Sequence, residues 1–145
     1  MIPNFTKSGE LPKGVYYPTW EEFVIKYGFN EHRQKLLGGL AKGLKILMDC
    51  GCEDIFIGGS FITNKIKPKD IDVSYNATYL NFEKLNKCCP EFFDPQKGKC
   101  LQNKKYGCDF IMFNNYETDI IDFLSYNRNN EAIGILKFFL KEIMP

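Results

Sequence analysis

The chain has one histidine, His32, and its six cysteines (Cys50, Cys52, Cys88, Cys89, Cys100 and Cys108) include no C-x2-C pair. Structural zinc usually takes such pairs together with further Cys or His ligands, so C-x-C and C-C spacings argue against a zinc site. Reduced thiols are the simpler expectation, with Cys108 in an apolar run where a free thiol behaves as a small buried hydrophobe. Excess charge of either sign is also missing. Nineteen Lys and Arg face 18 Asp and Glu, a net charge of +1, which argues against a dedicated polyanion-coating protein and makes any nucleic-acid contact local. No apolar run approaches the roughly 18 residues of a membrane span, and Met1 to Gly14 lacks a signal peptide's hydrophobic stretch. The expected location is the cytoplasm, with no membrane contact. Internal repeats and low-complexity tracts are absent from the sequence.

What the chain does have is core material. Its 145 residues are 44% hydrophobic, with 13 Phe and 8 Tyr, enough for one domain that removes roughly two thirds of its unfolded surface from water. Residues 1–18 hold three of the seven prolines and no periodicity, and read as an extended N-terminal arm; residues 19–145 read as a single domain. Thr19-Trp-Glu-Glu22 matches a capping box opening a short helix that Gly28 stops. Asn30 can cap a second helix whose Leu36, Leu37, Leu40, Leu44, Leu47 and Met48 follow the 3.6-residue period. Gly39 and Gly43, one turn apart on it, suggest close packing against a sheet.

Strands are expected at Asp54 to Ile57, at Asp70 to Tyr75 from its period-two alternation, at Cys108 to Phe113, and at Ile133 to Leu140. Asn81 to Cys89 reads as a short helix, and Pro90 to Lys105, rich in Lys, Gly, Gln and Asn, as a mobile loop. Thr118 and Asp119 are expected to cap a helix carrying Ile120, Ile121, Phe123 and Leu124, followed by a polar turn at Asn127 to Asn130.

The stretch that carries chemistry is Gly58 to Val73. Residues two apart on a strand share a face, so Asp70 and Asp72 would bring two negative charges together. A hard cation relieves that repulsion, since Mg²⁺ binds through one or two carboxylates and completes its shell with water and substrate phosphate. Asp109, on a later strand, could converge on the same ions. Gly58-Gly59-Ser60, at the end of a strand, lets backbone donors approach a phosphate and adds a hydroxyl. Lys65, Lys67 and Lys69 lie between turn and acids and could neutralise phosphate, although surface lysines often serve solubility alone. Arg128, in a polar turn, could reach a phosphate or tie down its loop. His32, far in sequence from the acids, is expected to be solvated or locally hydrogen-bonded, not a general base.

Gly59-Ser60, nine residues, Asp70-Ile71-Asp72 and then Gly107-Cys108-Asp109-Phe110-Ile111 resembles the signature of the DNA-polymerase-beta-like nucleotidyltransferase superfamily. Leu11 to Gly14, Phe29 to Arg33, Arg128 and Gly134 to Lys137 extend the resemblance to a group of small prokaryotic and phage-borne nucleotidyltransferase-like proteins. The resemblance implies an α+β fold, a nucleotidyltransferase-like mixed β-sheet with helices packed mainly on one face. It implies nucleotide binding at Gly59 and Ser60, with Lys69 and Arg128 as candidate nucleotide contacts beside them, and two Mg²⁺ (or Mn²⁺) ions on Asp70, Asp72 and Asp109, the catalytic acids. The reaction would move a nucleotide from a nucleoside triphosphate to a hydroxyl of a protein or RNA acceptor. Small members are often paired with a toxin, so an antitoxin or regulatory role is an alternative, as is a non-catalytic nucleotide-binding module.

Overall fold

The structure, a computed structural model, describes residues 1–93, 97–114 and 117–143. The expected thiol of Cys100 and the expected end of the domain at residues 144 and 145 lie outside the described side chains and residues. The fold is α+β: five strands and six α-helices among the described residues, in one mixed sheet.

Two helices come first because their caps are local. Thr19 and Glu22 form the capping box that opens α1, Trp20–Tyr27, and the Asn30 side chain accepts from the Arg33 amide at the start of α2, Glu31–Asp49. The apolar stripe of α2, Leu36, Leu37, Leu40, Leu44 and Leu47, is buried and packs with Phe23 and Tyr27 of α1 against the sheet. Gly39 and Gly43 permit this approach, since a side chain at Gly43 would run into the Phe110 ring and one at Gly39 into the Tyr106 carbonyl.

The strands are β1 Gly14–Tyr16, β2 Asp54–Gly58, β3 Ile71–Asn76, β4 Cys108–Phe113 and β5 Gly134–Phe139. Their order across the sheet is β1-β5-β2-β3-β4. The pairs β1–β5 and β3–β4 are parallel, while β2 is antiparallel to both β5 and β3. The expected extended arm therefore needs correcting: Leu11 is buried and residues 14–16 form an edge strand on β5. Three residues are too few to show alternation, and the partner lies at the other end of the chain.

A parallel β3–β4 pair requires a crossover, which antiparallel neighbours do not. Helix α3, Phe82–Cys88, a 3-10 turn at Pro90–Phe92 and helix α4, Lys97–Tyr106, supply it. The expected mobile loop over Pro90 to Lys105 is thus mostly helical where it is described. Buried Gln102 explains the order: its side chain donates to the Glu91 carbonyl (3.0 Å) and accepts from the Phe110 amide (2.9 Å), satisfying a donor on the edge strand β4. Helix α5 spans Glu117–Leu124, so Thr118 and Asp119 lie inside it rather than capping it, and α6, Leu140–Ile143, takes the last residue of the expected fourth strand.

Helices α1, α2 and α4 cover one face of the sheet in the main core; α5 lies on the other, where Leu124 joins Phe56, Phe113 and Ile135. No described helix is long and apolar enough to cross a membrane.

Candidate functional site

Strand periodicity assigns the acids to the α5 face. Gly58, the last residue of β2, meets Leu124 and Ile135 there, and its register partner on β3 is Asp72. Asp72 is in turn the register partner of Asp109 on β4. Partners on neighbouring strands present their side chains to the same face, while the flanking Ile71, Val73, Cys108 and Phe110 are buried in the main core. Two carboxylates thus stand side by side, half-buried, at the end of the sheet where β2 turns.

Asp70 lies one residue before β3 and is also half-buried. Burial pushes the pKa of the Cys108 thiol up, and the charges of Asp70, Asp72 and Asp109 add to that direction. Asp72 and Asp109 are thus neighbours at this end of the sheet, and Asp70 lies two residues before Asp72 along the chain.

Gly59 and Ser60 sit opposite. Gly59 adopts φ +78°, ψ −161°, in the region that favours glycine, and a side chain there would collide with the Asp72 carboxylate. Ser60 begins the 3-10 turn Ser60–Ile62, and Thr63 closes it, its hydroxyl donating to the Ser60 carbonyl (2.6 Å). Lys69, directly before Asp70, is exposed, as are Lys65 and Lys67. Arg128 is exposed in the turn after α5, which Asn127 fastens to Glu10 (3.1 Å) and which Asn130 completes at φ 62°.

Sequence reasoning undervalued the start of α2. His32 is half-buried, and its Nε2 donates to the Pro68 carbonyl (2.6 Å), 36 residues away, so the expectation of a solvated or locally bonded side chain is corrected. Asn30 donates to the Ile66 carbonyl (2.7 Å) besides capping the helix. Arg33 is fully buried and donates to the carbonyls of Tyr27 (3.1 Å), Phe61 (2.7 Å), Thr63 (2.9 Å) and Lys65 (2.7 and 3.0 Å). Burial lowers its pKa to about 10, with Tyr27 opposing, which leaves it charged through the neutral range. Residue types alone give no sign of this, because the acceptors are main-chain oxygens.

Elsewhere on the same face, Lys137 lies 3.8 Å from Asp54 and between the Phe56 and Phe139 rings (5.1 Å to each centroid), and Asn76 donates to Asp54 (3.0 Å). Burial of both charges together with an amide donor is the arrangement that makes such a pair tolerable inside a protein. It marks a structural end of the face, distinct from the acid corner.

Among the described residues, no group of three or more His, Cys, Asp or Glu side chains is gathered as a ready set of metal ligands. Mg²⁺ does not demand one, because it uses one or two carboxylates and takes the rest of its shell from water and phosphate. Asp72 and Asp109, as register partners, match that number of carboxylates, and the Asp72 carboxylate lies directly against Gly59, in the volume a side chain there would need.

The described cysteines are free, with Cys88 exposed and Cys50, Cys52, Cys89 and Cys108 buried, as expected for reduced thiols. No curated protein and no solved structure matches the chain, so these comparisons do not bear on the nucleotidyltransferase resemblance. One family covers nearly the whole sequence: residues 3–138 match a family of unknown function, DUF6932, and the chain belongs to it.

Proposed function

We propose that this protein is a metal-dependent nucleotidyltransferase of the cytoplasm, which moves a nucleotide from a nucleoside triphosphate to a hydroxyl of a protein or RNA acceptor. The observation that carries this reading is the register pairing of Asp72 with Asp109, with the Asp72 carboxylate lying against Gly59 of the Gly59–Ser60 turn.

Asp72 and Asp109, joined by Asp70, would hold Mg²⁺ or Mn²⁺. A bound ion supplies neutralising charge for the triphosphate and its leaving pyrophosphate, and lowers the pKa of a coordinated hydroxyl. The chain's own groups do the rest. Gly59 and Ser60 would form the phosphate side of the site, with the half-buried Ser60 hydroxyl as a donor. Lys69 and Arg128, both exposed, offset phosphate charge. Asp109, on the outer strand of the pair, would orient an acceptor hydroxyl arriving from the sheet edge.

Triphosphates labelled at the α-phosphate, incubated with the full chain, Mn²⁺ or Mg²⁺ and total RNA or protein, test the proposal. Label should pass to an acceptor and be lost with Asp72→Asn and with Asp109→Asn. Absence of both label transfer and metal-dependent triphosphate binding overturns it.

A further inference from the structure

Antiparallel neighbours such as β2 and β3 can be joined by a two-residue hairpin. Here the connection runs from Gly59 to Asp70, and the first turn of α2 fastens it at carbonyls 61, 63, 65, 66 and 68 through Arg33, Asn30 and His32. Burying a guanidinium to hold main-chain oxygens is expensive unless all its donors are used, and merely joining two strands does not call for it.

The last fastening point is the one nearest the acids. Pro68 has its φ fixed by its ring, and its carbonyl is held by His32, so only Lys69 separates a doubly restrained residue from Asp70. With the carbonyls of Lys65, Ile66 and Pro68 turned toward α2, the side chains of Lys65, Lys67 and Lys69 stay exposed. Fixing a group through the residues that support it is how binding sites keep their geometry.

We propose that His32 is a positioning residue of the acid site: its bond to Pro68 sets where Lys69 and Asp70 stand relative to Asp72, Asp109 and the Ser60 turn. This rests on the nucleotidyltransferase reading. His32 touches neither nucleotide nor metal in this role, and Arg33 supplies the rigid base that the bond works from.

The test uses the full chain, Mn²⁺–ATP as probe, and two variants. Gln can still donate to the Pro68 carbonyl and Leu cannot. His32→Leu should keep a cooperative unfolding transition, raise amide exchange over residues 65–71, and weaken Mn²⁺–ATP binding about tenfold or more, with a smaller effect on ATP without metal. His32→Gln should restore both exchange and affinity. Wild-type affinity in His32→Leu, or equal losses in the two variants, overturns the positioning role. Failure of the wild type to bind Mn²⁺–ATP, with Asp72→Asn indistinguishable from it, instead overturns the site itself, and the role of His32 falls with it.

Discussion

The carboxylate of Asp72 occupies the volume that a side chain on Gly59 would need. Turn and acid are therefore mutually dependent: the acid lies against the turn only because the turn has no Cβ, and Gly59 also holds a φ of +78° that other residues reach with strain. Gly59→Ala should cost about 1–3 kcal/mol and displace Asp72, so metal-linked triphosphate binding should fall further than stability does. Gly58→Ala is the control. A Cβ there meets Leu124 Cδ2 at 3.2 Å, the end of a flexible side chain, so the loss should be smaller. Urea unfolding of both variants beside Mn²⁺–ATP titration decides the matter; equal losses in the two would show that Gly59 serves backbone shape alone.

Asp72 and Asp109 stand in register with like charges, an arrangement that costs free energy unless a cation or a donor shares it. Asp72→Asn and Asp109→Asn keep the size of each side chain, so both should still unfold cooperatively while losing nucleotidyl transfer, because such chemistry depends on placed charge. The comparison is a thermal melt and a transfer assay on the same preparations. A large drop in melting temperature for Asp72→Asn would assign that side chain to holding the fold instead.

The sequence made part of this site legible and hid the rest for definite reasons. The capping box at Thr19–Glu22 and the leucine stripe of α2 are short-range patterns, and both elements stand where they were expected. Gly59, Asp72 and Asp109 were visible because strand alternation dictates which side chains share a face, although only the observed β3–β4 pairing makes the two acids neighbours. Helix α4 was hidden, since Lys97–Tyr106 carries no apolar stripe; tertiary bonds through Gln102 hold it instead. Strand β1 was hidden because its partner lies 120 residues along, as Gly14 and Gly134 show. The bonding of His32 and Arg33 was hidden because a side chain bound to distant carbonyls leaves no trace in the spacing of residue types.

Arg33 should be among the costliest single substitutions in the chain. Arg33→Met strands the carbonyls of Phe61, Thr63 and Lys65 in a part-buried setting, and with about 1–3 kcal/mol lost for each buried group left unpaired the total should exceed about 3 kcal/mol. Arg33→Lys keeps the charge but replaces a five-donor fork with a point donor, so it should recover less than half of that loss. Chemical denaturation of the three proteins gives the comparison. A lysine variant as stable as the wild type would mean that charge, not the fork, holds the loop.

Gln102 offers a test of how the sheet ends. Its Oε1 takes the Phe110 amide on β4, the strand at one edge of the sheet, and unpaired edges invite pairing between molecules. Gln102→Leu should lose about 1–3 kcal/mol, and more tellingly should self-associate as concentration rises, read by light scattering. A Gln102→Leu protein that is destabilised yet stays monomeric would confine the residue to holding α4.

Glu91 couples stability to pH. Burial by itself raises its pKa, but bonds from its own backbone, Lys105 (3.1 Å) and Tyr106 (3.1 Å), together with the Lys105 charge, outweigh burial and hold the carboxyl below its ordinary value of 4.5. A carboxyl depressed in the folded state contributes stability above its unfolded pKa and loses it as pH falls through the folded one. Glu91→Gln should therefore be less stable than wild type at pH 7, by about 1 kcal/mol or more. As pH falls through the depressed folded-state value the two should converge, because both then present a neutral group to Lys105 and Tyr106. Urea midpoints taken at intervals across that range give the difference directly. A gap that stays constant with pH would mean that Glu91 acts through shape and hydrogen bonding without its charge, and the link between α4 and the turn at Pro90–Phe92 would then owe nothing to ionisation.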